Sequence, residues 1–273
     1  MQASELFELT QNRLPTVPKV VQELIASLQN ESVSYDKVVD MLAHDQVLTA
    51  RVLRLANSAH SGGHRRVGSL DDAVLLLGFN KLRVLVIASG LAGTTIKVPG
   101  FDMQGFWRRS FEVANTARRL ARAAGLDESQ AAICGLLANI GELVLHVGLP
   151  AEALKIDKVV ASGADRVSTE RIMLGMDLTE VGAELARCWH FPDAIHQAIL
   201  FQHSPQDAPG SLYASLLALA NHIVAGYNSG IGEDEMAAML PGRLLVALGL
   251  PQQTLTALLP ELKSTSTTTD EWL

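Results

Sequence analysis

Several things that would define other protein classes are scarce in this 273-residue sequence. There are two cysteines, Cys134 and Cys188, far apart and without Cys-x-x-Cys spacing. That excludes a disulfide framework and a thiolate zinc site, and both read as reduced thiols within apolar helical stretches. Positive charge is in deficit, with 22 Lys and Arg against 29 Asp and Glu and a formal net charge of −7. A general nucleic-acid binder needs the opposite surplus, because phosphate neutralisation is done by cations. Long apolar runs are absent too. The most apolar segment, Leu82 to Ile96, is interrupted by Ser89, Gly90 and Gly93 and is too short to cross a bilayer. The first ten residues carry Glu5 and Glu8 and lack the basic and apolar regions of a secretory signal. The expectation is a cytoplasmic protein with no membrane anchor. Strand-like alternation, a fixed-period repeat, a low-complexity linker, a glycine-rich phosphate loop and a Gly-x-Ser-x-Gly elbow are all missing.

What is present is a strong folding signal. Hydrophobic residues make up 48% and charged residues 19% of the chain, a composition that buries a core. Helical periodicity runs nearly throughout and predicts an all-α fold of about a dozen helices. Ser34 precedes a helix over 35–43, Ser69 with Asp72 resembles a capping box, and Asn80 can cap a helix from Lys81. Pro150, Pro192, Pro209, Pro241 and Pro251 fall where first helical turns begin. Pro99-Gly100 divides the chain into two packed helical lobes, 1–99 and 100–262, and the Ser/Thr-rich residues 263–273 read as a disordered tail.

The helix from Phe106 to about Ala124 places Phe106, Ser110, Val113, Ala117, Leu120 and Ala124 on one face. Arg108, Asn115, Arg119 and Arg122 share another, which reads as a solvated stripe. Arg109 lies on the flank, where a long side chain reaches into an interhelical groove. Asn139, a polar intrusion in an apolar helix, either caps a bend before Gly141 or faces a polar pocket. His196 and His203 stand seven apart, too far along a helix to chelate one ion, and read as ordinary hydrogen-bonding histidines. In the helix of residues 45–60, Leu48, Val52, Leu55, Ala56 and Ala59 share a core face. Arg51, Arg54, Asn57 and Ser58 point elsewhere, either ending the helix locally or forming an interaction surface.

Taken in order, these motifs resemble the HDOD domain family: Leu14-Pro15-Thr16-Val17-Pro18, then Asp45 through Ala59, then Ser69-Leu70-Asp71-Asp72-Ala73-Val74 to Leu77-Gly78. Phe106 to Ser110, Gly135 to Gly141, Val181 to Leu185, Trp189-His190-Phe191-Pro192 and Leu219-Ala220-Asn221 continue the resemblance. It spans residues 13–225 and implies a second lobe shaped as a degenerate HD domain, related to metal-dependent phosphohydrolases including cyclic-di-GMP phosphodiesterases. By motif, the metal-ligand positions of those enzymes fall at Arg109, Ala138, Asn139, Leu178 and Asn221, and His203 alone keeps a good donor. The resemblance therefore implies no metal, no cofactor and no catalysis, and a signalling regulator that docks onto other signalling proteins. Two rivals stand beside it. One is a divergent phosphohydrolase; the other is a sensor whose Arg109, Asn139, His203 and Asn221 take an anionic nucleotide or cyclic dinucleotide.

Overall fold

The computed structural model describes residues 2–10, 19–26, 38–40, 42, 45–58, 68–92, 98–208 and 210–267. All regular structure among them is helical, as the periodicity predicts. The first part holds α1 (Ala3–Thr10), α2 (Lys19–Ala26), α3 (Gln46–Ser58), α4 (Leu70–Leu77) and α5 (Phe79–Ala92). The Leu14 to Pro18 motif, most of the helix expected after Ser34, and Pro209 lie outside the described residues. The second part holds α6 (Met103–Ala124), α7 (Glu128–Leu137), α8 (Ile140–Gly148), α9 (Pro150–Ala161), α10 (Arg166–Leu174), α11 (Leu178–Cys188) and α12 (Asp193–Phe201). A 3-10 turn (Pro205–Asp207), α13 (Leu212–Asn228), α14 (Glu233–Met239), α15 (Gly242–Ala247) and α16 (Gln252–Thr267) complete it.

Local chemistry explains where these helices start and stop. The Ser69 hydroxyl accepts from the Asp72 amide at 3.0 Å and caps α4. Gly78, at φ 81°, makes the left-handed turn that separates α4 from α5. Because α5 starts directly at Phe79, Asn80 lies inside the helix and is not its cap. Asp102, Asp127, Asp165 and Asp177 each cap the helix that follows, and Asp177 with Glu180 forms a complete capping box. Pro150 opens α9, and Pro192 and Pro241 sit at the N-caps of α12 and α15. At the other end, α16 runs to Thr267, beyond the boundary at 263 where composition placed the tail.

The central α6 packs on α7, α13 and α16. Its predicted apolar face is the buried one: Phe106, Ser110, Val113, Ala117 and Leu120 are all in the core. Burying Phe106, Val113 and Leu120 contributes about 1.5–3 kcal/mol each. Gly135 lets α7 press against α6, since a Cβ there would lie 2.6 Å from the Ala114 Cα. Gly141 does the same for α8 and α11: its Cβ would overlap the Leu178 carbonyl and come within 2.8 Å of the Gly182 nitrogen. The expected solvated arginine stripe is only partly so. Arg108 and Arg122 are exposed, whereas Arg119 is covered by α16 and pairs with Glu261.

The two halves meet where α5 packs on α7, and α1 crosses the boundary to pack on α8 and α11. The first helix of the expected 1–99 lobe thus rests on the second. Phe101, just after Pro99-Gly100, pins the connection by stacking against His146 at 4.3 Å and Phe106 at 5.5 Å. The stretch Glu128–Gly148, longer than the Leu82–Ile96 segment singled out from sequence, has the length and hydropathy of a membrane span, with 83% of its most apolar window buried in the protein. It is divided into α7 and α8 by the turn at Ala138 and Asn139.

Candidate functional site

An open cleft of about 610 Å³ lies between the Pro99-Gly100 connection, α6, the α7–α8 turn, α9, α10 and α13. It gathers four of the residues singled out from sequence, because Arg109, Asn139, His203 and Asn221 all line it. Asn139 stands at the start of α8, makes no capping bond with its side chain and lines the cleft. Ala138 and Leu178 are fully packed, at 0% and 2% exposure, and contribute backbone only. His203 does not share a helical face with His196, because α12 ends at Phe201. Its ring sits at the cleft rim; the protein packed around it pushes its pKa down, against the pull of Asp165 and Asp177.

Gln202, which the sequence reading passed over, is almost fully buried and ties this region together. Its amide donates to the Ala138 carbonyl at 2.7 Å and to the Ile199 carbonyl at 3.0 Å. Its oxygen accepts from the Asn221 amide at 2.7 Å. Two positions occupied by ligands in an HD enzyme, 138 and 221, are thereby joined through one neutral side chain.

The opposite wall is charged. Arg109 reaches from the flank of α6, as expected, and meets the Glu142 carboxylate at 3.3 and 3.4 Å. Arg166 from α10 bonds Asp157 at 2.6 Å and Glu170 at 3.3 Å, and stands 3.7 Å from Glu142. Burial opposes the charge on Arg166, and these three carboxylates more than compensate, raising its pKa. Burial would also raise Asp157, but hydrogen bonds from Arg166 and His146 leave its pKa below the usual range. Glu170 is the exception. It accepts from the Leu178 amide at 2.7 Å and lies beside Arg166, yet burial dominates and its pKa is raised to about 7. The ring nitrogens of the buried His146 face two acceptors, the Glu142 carbonyl at 2.8 Å and Asp157 at 2.7 Å.

These residues do not fit the divalent ion of an HD enzyme. Of the six positions carried over by motif, one is a permanent cation, two are apolar, two are amides and only His203 is a good donor, whereas hydrolytic ions are held by several imidazole and carboxylate donors. Asp157 and Glu170 pair with Arg166, Glu142 lies between Arg109 and Arg166, Asp102 caps α6, and among the described residues no group of three or more His, Cys, Asp or Glu is arranged to hold a metal. Helical carboxylates usually face water, but Glu142 at 8% and Glu170 at 0% exposure do not. The polar strip of α3 is less conclusive. Arg54 is exposed, Arg51 and Asn57 are half-buried, and the Asn57 amide bonds the Leu53 carbonyl one turn back at 2.8 Å. The Ser58 side chain lies outside the described residues.

The family model described as HDOD domain matches residues 14–205. The crystal structure of a Shewanella amazonensis SB2B protein, provisionally named a phosphohydrolase, is 38% identical and covers 98% of each chain with a TM-score of 0.84. An HDOD domain protein of unknown function from Geobacter sulfurreducens, 24% identical, shares the fold over 97% of each chain with a TM-score of 0.81. A Marinobacter aquaeolei VT8 protein, provisionally named for signal transduction, is 26% identical, with a TM-score of 0.76 over 94% of this chain and 58% of that one. An uncharacterized protein of Treponema pallidum (strain Nichols) is 28% identical over 200 residues, 72% of this chain and 39% of that protein. This chain therefore spans about two fifths of that curated relative.

Proposed function

The chain belongs to the HDOD domain family, and from that premise we propose that it is a non-catalytic regulatory module. It acts in the bacterial cytoplasm by docking onto other signalling proteins, and neither nucleic acid nor membrane is its target. One observation carries this reading: the Arg109 guanidinium, paired with Glu142, stands at a position where an HD enzyme places a metal-ligating histidine. A fixed positive charge there repels a metal ion, more strongly in a partly buried site than in water. The provisional signal-transduction name of the Marinobacter relative agrees with it.

The provisional phosphohydrolase name of the Shewanella relative, at 38% identity over nearly the whole chain, favours a second reading as a divergent metal-dependent hydrolase. Elemental analysis of tag-free protein, followed by hydrolysis assays on cyclic-di-GMP and simple phosphate esters with added manganese, separates the two. The regulatory reading expects no stoichiometric divalent metal and no turnover. One equivalent of bound metal, or turnover abolished by His203→Ala, would overturn it.

A further inference from the structure

We propose that the cleft binds an oxyanion of the phosphate class between Arg109 and Arg166, and that Glu142 is the incumbent which that oxyanion displaces. The proposal rests on the cleft being a non-catalytic site, and it names the chemistry of what that site holds. Both guanidiniums line the same cleft, and the Glu142 carboxylate lies between them. It is held well by neither. Its contacts, 3.3 and 3.4 Å to Arg109 and 3.7 Å to Arg166, exceed the 2.7–2.9 Å of a good charge-assisted hydrogen bond. By contrast Arg166 grips Asp157 at 2.6 Å, and that pair would persist when Glu142 moves.

Arg109 is also set up to receive a second partner. Its side chain is 44% exposed, and among the described residues its Nε and Nη1 have no hydrogen-bond partner, so the guanidinium keeps donors in a planar fork. The three other carboxylates on this side do not oppose an incoming anion at full strength: Glu170 is completely buried behind Arg166 and burial raises its pKa. Asp157 is paired with Arg166 at 2.6 Å, and Asp102 accepts the Gly105 amide as the cap of α6. A carboxylate resting loosely between two arginines is the protein's own copy of the group such a pair captures. Across the cleft, Asn139, His203 and Asn221 offer neutral donors and acceptors to whatever the oxyanion is attached to.

Isothermal titration calorimetry of the full chain with inorganic phosphate, and separately with adenosine 5′-monophosphate, tests the proposal. Circular dichroism verifies that each variant is folded. Arg109→Gln should weaken binding about tenfold or more, the worth of one charge-assisted hydrogen bond. Glu142→Gln should tighten it, because the incumbent loses its charge; a variant that merely damaged the site would move the other way. Should Arg109→Gln fail to fold, Glu142→Gln decides alone. Equal affinity for both probes identifies free phosphate as sufficient, and tighter binding of the nucleotide identifies the oxyanion as part of a larger ligand. No binding of either probe at millimolar concentration, wild-type affinity in Arg109→Gln, or no gain in Glu142→Gln overturns the proposal. The readout needs no turnover, so a failure to bind leaves the non-catalytic reading intact, whereas phosphate release from the nucleotide overturns that reading alone.

Discussion

Replacing Glu170 with Gln should change how stability depends on pH, and the size of the change follows from its surroundings. The carboxyl is completely buried, and burial lifts its pKa from an ordinary 4.5 to about 7 despite the Leu178 amide and Arg166. In the unfolded chain the proton leaves near 4.5; in the fold it stays until about 7. Between those values the folded state binds more protons than the unfolded state, so stability declines as pH rises through that window. The whole gap, at about 1.4 kcal/mol per pH unit, corresponds to roughly 3 kcal/mol of stability present in acid and lost by pH 8. Glu170→Gln cannot titrate. Its oxygen can still accept the Leu178 amide, while the long contact with Arg166 is lost. Urea denaturation at pH 5, 6, 7 and 8 measures both proteins, and their difference cancels groups common to the two. The variant should gain roughly 2–3 kcal/mol relative to wild type between pH 5 and pH 8. Parallel curves would refute the reasoning, because they would mean that Glu170 carries the same charge in the folded and unfolded states.

Gly141→Ala should destabilise the fold by about 3 kcal/mol, since the new methyl group meets backbone that only a separation of α8 and α11 could relieve; an unchanged melting temperature would contradict this. Gln202→Leu should cost about 2–4 kcal/mol in urea denaturation, because the Ala138 carbonyl and the Asn221 amide both lose their partner. Arg54→Glu, at an exposed position of α3, should leave stability within about 0.5 kcal/mol while weakening capture of a partner in pull-downs from the native cell. Unchanged capture by that variant would remove the α3 strip from the interaction surface.

Local signals carried most of the fold. The cap at Ser69 and the apolar face of α6 are written in neighbouring residues, and the structure places them as read. The Asp177 and Glu180 capping box was equally local and could have been found the same way. The cleft was legible only in part. The motif order led to Arg109, Asn139, His203 and Asn221, but the charged wall did not show, because Glu142, Asp157, Arg166 and Glu170 come from α8, α9 and α10 and meet only after folding. Each alone looks like an ordinary helical charge. Periodicity alone carried the helix past His203, whereas α12 ends at Phe201, a stop that Pro205 just beyond could have signalled.

The Gln202 bridge has a consequence for how this region behaves in a living cell. Where helices are joined through a coordinated ion, their spacing depends on metal supply, and chelation or starvation can loosen them. Here the α7–α8 turn, the end of α12 and α13 are joined by carboxamides and a backbone carbonyl. Such groups neither ionise near neutral pH nor exchange with a metal pool. The frame of the cleft is thus insulated from metal nutrition and acid stress, and sensitivity to the environment is left to the arginines and carboxylates on the facing wall.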